Sequence, residues 1–157
     1  MLKKIGQLFG SAKRPLAGEE FGEVPLAQAV LLLEMVHADF AGESVEDDFV
    51  CRTLQRGWRI SAEQARSLMD LAHEEREKSV DLHKFTKQIN DGCTREEKLS
   101  LLEILWRLVY VDGEIDKYEE ALMRRLTTLL RLSHRQMIEV KLKVCKDLGL
   151  ESGGILV

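Results

Sequence analysis

A chain of 157 residues that is 45% apolar can bury one sizeable core, so a single globular domain is expected. Its most hydrophobic stretch, residues 99–111, is broken by Glu103 and Arg107, which excludes a bilayer-spanning helix there; Cys51, Cys93 and Cys145 show no C-x-x-C spacing, which argues against a disulfide framework or a thiolate zinc site and points to a reducing cytoplasm. The net charge of −4 conceals a basic head, since Lys3, Lys4, Lys13 and Arg14 are accompanied by no acid before residue 15. The remaining body is therefore more acidic than the total indicates and lacks the clustered cations that nucleic-acid binding requires.

Leu2, Ile5, Leu8 and Phe9 recur at helical spacing with Lys3 and Lys4 beside them, the pattern of a short basic amphipathic helix suited to an anionic membrane surface. Gly6 and Gln7 interrupt the apolar run a signal peptide needs, so this head is expected to be retained. The alternative is a terminus that frays or packs on its own domain. Residues 15–24 read as a linker, which leaves residues 1–24 as head and linker and residues 25–150 as the folded domain.

From Pro25 onward the text is helical, without strand alternation or another proline, and start signals recur at regular intervals. About seven helices are expected, which makes the fold all-α. The first runs over about residues 25–38, with Pro25 in its first turn, and the second from near Ser44 to Gly57. The third opens with a Ser61/Gln64 capping box and the fourth at Asp81; Thr94/Glu97, Asp116/Glu119 and Ser133/Gln136 open the fifth, sixth and seventh, and the last stops at Gly149.

Two helices are apolar almost all round. The first offers only Gln28, Glu34 and His37 as polar breaks, and the fifth confines Glu96, Ser100, Glu103, Arg107 and Tyr110 to one narrow stripe, so both are expected at the centre of the fold. The others are one-sided, through Ala65, Leu68, Met69 and Ala72 in the third, Leu82, Phe85 and Ile89 in the fourth, and Leu122, Leu126 and Leu129 in the sixth, and should pack around them. Sliding the chain by 73 lays Asp39 on Asp112, and sliding it by 72 lays Ser61 and Gln64 on Ser133 and Gln136. The halves thus read as pseudo-repeats: a buried helix, an acidic turn, a second helix and a capped third helix.

The second of these turns carries Asp112, Glu114, Asp116, Glu119 and Glu120. Closely spaced carboxylates repel one another, and a divalent cation relieves that repulsion, so one reading is a hard-cation site formed by Asp112, Glu114, Asp116 and Glu119, with Asp39 from the equivalent turn. It is not a calcium-binding EF-hand, because Lys117 falls where the loop needs glycine and Met123 where it needs a bidentate glutamate. The competing reading is structural: Gly113 ends one helix, Asp116 caps the next, and Glu119 and Glu120 complement its dipole. Glu34-x-x-His37 has the spacing of a di-iron ligand pair but no second copy, so a packed polar stripe with Glu34 opposite Arg107 is expected instead. His73-Glu74-Glu75 lacks the second histidine of a zincin, and no catalytic motif stands out, so no enzyme is expected.

The segment LLEILWRLVYVDGEIDKYEEALMRRLTTLLRLS, residues 101–133, resembles the TerB-like tellurite-resistance and stress-response proteins of bacteria, through an apolar helix followed by Asp112, Gly113, Ile115 and Glu119 at the family's turn spacing. The resemblance implies an all-α fold of two helical repeats around two central helices. It also implies a non-catalytic protein in the cytoplasm or at the inner membrane, partnered with other stress-response proteins, whose turn carboxylates serve as a metal or partner site. The first half departs from the pattern, with Phe40-Ala41-Gly42-Glu43 where a second Asp-Gly turn would stand.

Overall fold

The computed structural model of the chain describes residues 22–37, 44–79, 81–110 and 115–150, with the backbone alone for residues 44–47. Among them lie seven helices: α1 (Glu23–Val36), α2 (Ser44–Trp58), α3 (Ala62–Lys78), α4 (His83–Gly92), α5 (Arg95–Val109), α6 (Lys117–Leu129) and α7 (His134–Asp147). The expected all-α class and helix plan hold, and the boundaries follow local chemistry. Four helices start on reciprocal caps, which satisfy two orphan donors of the first turn at once. The Gln64 N–H donates to Ser61 Oγ (3.0 Å) and the Ser61 N–H to Gln64 Oε1 (2.9 Å), and the same pairing recurs at Thr94/Glu97, Asp116/Glu119 and Ser133/Gln136. At α4, Asp81 Oδ1 accepts from the His83 N–H (2.7 Å), so the helix begins two residues after the aspartate that steadies its entry.

The halves are related in detail at the ends of α2 and α6. Arg59 and Arg131, which correspond under the slide of 72, both adopt left-handed backbone, with φ of 53° and 62°. In each, the next residue closes the helix from outside: the Ile60 N–H donates to the Gln55 carbonyl (3.2 Å) and the Leu132 N–H to the Thr127 carbonyl (3.0 Å), the Schellman pattern. Each closure delivers the chain to the serine that caps the following helix.

Helices α1 and α5 pack on one another and are surrounded, α1 by α2, α3 and α4, and α5 by α6 and α7. Burial follows the sequence pattern: Ala27 to Leu33, Met35 and Val36 are buried on α1, and Leu101, Leu102, Leu105, Trp106, Leu108 and Val109 on α5. The expected faces of α3 and α4 are also buried. On α6 the buried stripe is Met123, Leu126, Thr127 and Leu130, with Leu122 and Leu129 half-buried on its edge. Tyr110 ends the α5 stripe buried, while Glu103 and Arg107 stay half-exposed.

The expected proximity of Glu34 and Arg107 is not what forms. Glu34 Oε1 pairs with Arg76 Nε (2.7 Å), and Arg107 pairs with Glu103 (2.9 Å) and Asp147 (2.8 Å), with Lys143 bound to Glu103 as well (3.2 Å). Glu34, Glu103 and Arg107 on the central helices are each answered by the third helix of their own repeat, because the two central helices meet through their apolar faces. Between Glu34–Arg76 and Arg107–Asp147 the signs are reversed, acid on α1 and base on α3 against base on α5 and acid at the end of α7, whereas Glu103–Lys143 keeps the order of the first half.

Candidate functional site

The acidic turn is framed by two fixed ends. On one side Tyr110 caps α5, 4% exposed, its ring stacked on Trp106 at 6.0 Å. Trp106 is itself pinned, since its Nε1–H donates to the Met137 carbonyl on α7 (3.2 Å) while the ammonium of Lys141, only 2% exposed, lies 5.2 Å from its ring. A cation over an indole face is attracted by the ring quadrupole, which helps that lysine tolerate burial. On the other side Asp116 caps α6. The Glu119 N–H donates to Asp116 Oδ1 (2.9 Å), the Asp116 N–H donates to Glu119 Oε1 (3.1 Å), and Glu119 is 6% exposed.

Electrostatics link these ends. Burial, the adjacent Cys145 thiol and the carboxylates of Glu120 and Glu119 all raise the Tyr110 pKa, so the phenol stays protonated at every physiological pH. Its hydroxyl is buried without a well-formed hydrogen bond. Glu120 is held outward by Arg124 (3.3 Å). Among the described residues, no three His, Cys, Asp or Glu side chains come together as a group able to hold a metal ion. Of the expected cation ligands, Asp116 and Glu119 form the cap just described, whereas Asp112, Glu114 and Asp39 lie outside the described residues. The expected membrane-contact residues Leu2, Lys3, Lys4, Ile5, Leu8 and Phe9 lie outside them too.

The corresponding place in the first half holds a different pair. His37 caps the end of α1, and its ring lies 5.8 Å from that of His73 on α3, edge to face at 74°. The sequence motifs associate His37 with Glu34 and His73 with the acids that follow it; the fold instead gives Glu34 to Arg76 and sets the two histidines side by side. The repeat carries the signal for this: slides of 73 and 72 place His37 and His73 on Tyr110 and Cys145, which are neighbours as well.

Cys93 is no candidate nucleophile. Burial, reinforced by Glu97, pushes its thiol pKa up to about 11, and it accepts a weak hydrogen bond from Gln28 Nε2 (3.6 Å). One polar network escaped the sequence motifs altogether. Lys98 Nζ donates to Asn90 Oδ1 (3.0 Å) and to the Leu130 carbonyl (2.8 Å), and Asn90 Nδ2 donates to the Leu129 carbonyl (3.0 Å), so the two side chains cover carbonyls left open at the end of α6.

No helix among the described residues is long and apolar enough to cross a membrane. No curated protein and no solved structure matches the chain. The family model described as "Tellurite resistance protein TerB" matches residues 25–142, from the first turn of α1 through the acidic turn and into α7. With more than half of its length covered by that match and two capped helical repeats around two buried helices, the chain belongs to the TerB family.

Proposed function

We propose that the protein is a non-catalytic TerB-family binding module for bacterial stress response, which takes up a divalent cation or docks another stress-response protein through the acidic turn between α5 and α6. The cation ligands are Asp112, Glu114, Asp116 and Glu119, with Asp39 contributing from the equivalent turn. The observation that supports this reading is the reciprocal cap. It fixes two carboxylate side chains at the foot of a segment carrying two more, so a hard oxygen-loving ion would meet partly ordered ligands. The same observation favours a second reading, in which the carboxylates only cap α6 and the module acts through protein contacts alone, because Asp116 Oδ1 and Glu119 Oε1 already accept backbone N–H groups.

Melting curves of chelator-stripped protein with Ca²⁺, Mg²⁺ or Mn²⁺ separate the two. A ligand at 100 times its dissociation constant stabilises by about 2.7 kcal/mol. The cation reading expects a rise in Tm for one of these ions that disappears in Asp112→Asn, and unchanged curves with all three ions leave the capping reading. The basic head is assigned to the cytoplasmic face of the inner membrane through Leu2, Lys3, Lys4, Ile5, Leu8 and Phe9. Flotation with anionic liposomes should be lost when residues 1–14 are removed, and equal flotation of both forms refutes that contact.

A further inference from the structure

The two histidines lie on adjacent rungs of a ladder between α1 and α3. On α1, Glu34 and His37 are three residues apart, and so are His73 and Arg76 on α3. The helices face each other with Glu34 opposite Arg76 and His37 opposite His73, so the 2.7 Å ion pair and the imidazole contact share one register. Side chains three apart on a helix share a face, which places both rungs along one seam.

We propose that His37 and His73 form a two-imidazole site for a borderline divalent transition-metal ion such as Zn²⁺ or Cu²⁺, with water completing its coordination. The spacing fits this chemistry. With metal to nitrogen bonds of about 2.0–2.1 Å, two imidazoles on one tetrahedral ion have ring centroids roughly 5–6 Å apart, and the observed separation is 5.8 Å. His37 is exposed and His73 half-buried, so the pair opens to solvent, and binding requires each ring to turn one nitrogen toward the shared ion. Imidazole nitrogens select Zn²⁺, Ni²⁺ or Cu²⁺ over Ca²⁺ and Mg²⁺, which sets the site apart from the carboxylate turn in ligand class as well as in place. The second half cannot repeat it, because the equivalent positions hold Tyr110 and Cys145, both buried. The Glu34–Arg76 pair acts as a positioning device, occupying the one carboxylate on α1 that stands a turn away from His37.

The test uses the full chain with Cu²⁺ read by electron paramagnetic resonance and Zn²⁺ read by calorimetry. One ion per chain with nitrogen hyperfine structure is expected. Because loss of even an outer-shell partner costs a metal site about 10–100-fold in affinity, His37→Gln and His73→Gln should each weaken binding by at least about tenfold. His83→Gln should leave it unchanged. His37→Gln alters an exposed cap and keeps the fold, so it decides the matter even if His73→Gln is found unfolded by circular dichroism. Absence of nitrogen-ligated copper in the parent chain, or equal affinity in His37→Gln, overturns the site. The proposal does not rest on the acidic-turn reading: failure of Ca²⁺, Mg²⁺ and Mn²⁺ to shift Tm sinks that reading and leaves the imidazole pair untouched.

Discussion

Asp116 serves the fold before it serves any ligand. Replacing an aspartate N-cap by alanine costs about 0.5–2 kcal/mol, so Asp116→Ala should lower stability by about 1 kcal/mol in a denaturant titration, while Asp116→Asn, which caps as well, should lose far less. Glu103 gives the corresponding pH test. Burial raises its pKa, but hydrogen bonds from Arg107 and Lys143 outweigh that and hold the carboxyl below the usual glutamate value. The folded pKa then lies below the unfolded one, so the stabilisation is complete above the unfolded value and is lost as pH falls through the folded one. Glu103→Gln should cost about 0.5–1 kcal/mol near neutrality, the range for part-exposed pairs, with the gap to the parent chain closing below about pH 4. Residue-scale features of this kind were legible when local. A cap is a four-residue pattern, so Asp116/Glu119 and its three counterparts could be read directly. The histidine pair was not, because it depends on how α1 and α3 are registered, and periodicity that places Glu34 on a polar stripe does not say that Arg76 rather than Arg107 will meet it.

At the scale of elements, the end of α4 lies close against the start of α1. A Cβ added to Gly92 would stand 2.6 Å from Val24 Cγ2, and valine is stiff about χ1, so the contact cannot be relieved by a simple rotation. Gly92→Ala should therefore destabilise by about 1–3 kcal/mol, the usual cost of overpacking, and Val24→Ala in the same chain should restore part of the loss; additive losses in a double-mutant cycle would show that the two do not touch. Sequence patterns placed all seven helices, since an apolar face or run marks each and four of them also open on capping boxes. They were less exact about facing: the α6 stripe turned out to be Met123, Leu126 and Leu130, because i+3 and i+4 steps through an apolar-rich helix define several overlapping stripes and only the neighbours choose among them.

Taken as a whole, the molecule is two half-domains that share one core, with α1 and α5 in the middle of it. Stability in such a fold should be graded from centre to edge. Backbone amides near Leu32 and Leu105 are expected to exchange with solvent only on global unfolding, and those near Lys146 through smaller openings. Hydrogen exchange by mass spectrometry or NMR checks this, and equal protection at the two places would contradict it. The repeat was legible in the sequence through Asp39, Asp112 and the two serine caps, but the reversal of charge between the Glu34–Arg76 and Arg107–Asp147 pairs was not, because it conserves an interaction while exchanging its residue types.

The left-handed arginines carry a consequence for engineering. An L-residue in that conformation costs about 1–2 kcal/mol relative to right-handed helix, whereas glycine adopts it freely and pays only in unfolded-chain entropy. Arg59→Gly and Arg131→Gly should each raise stability by about 0.5–1 kcal/mol. Position 131 should gain further from removal of a charge that lowers the pKa of Lys98 and lose some through its attraction to Asp91. A sequence that keeps arginine at both corners thus holds unused thermal tolerance, and a doubly substituted chain would be the natural starting point for handling the protein at elevated temperature.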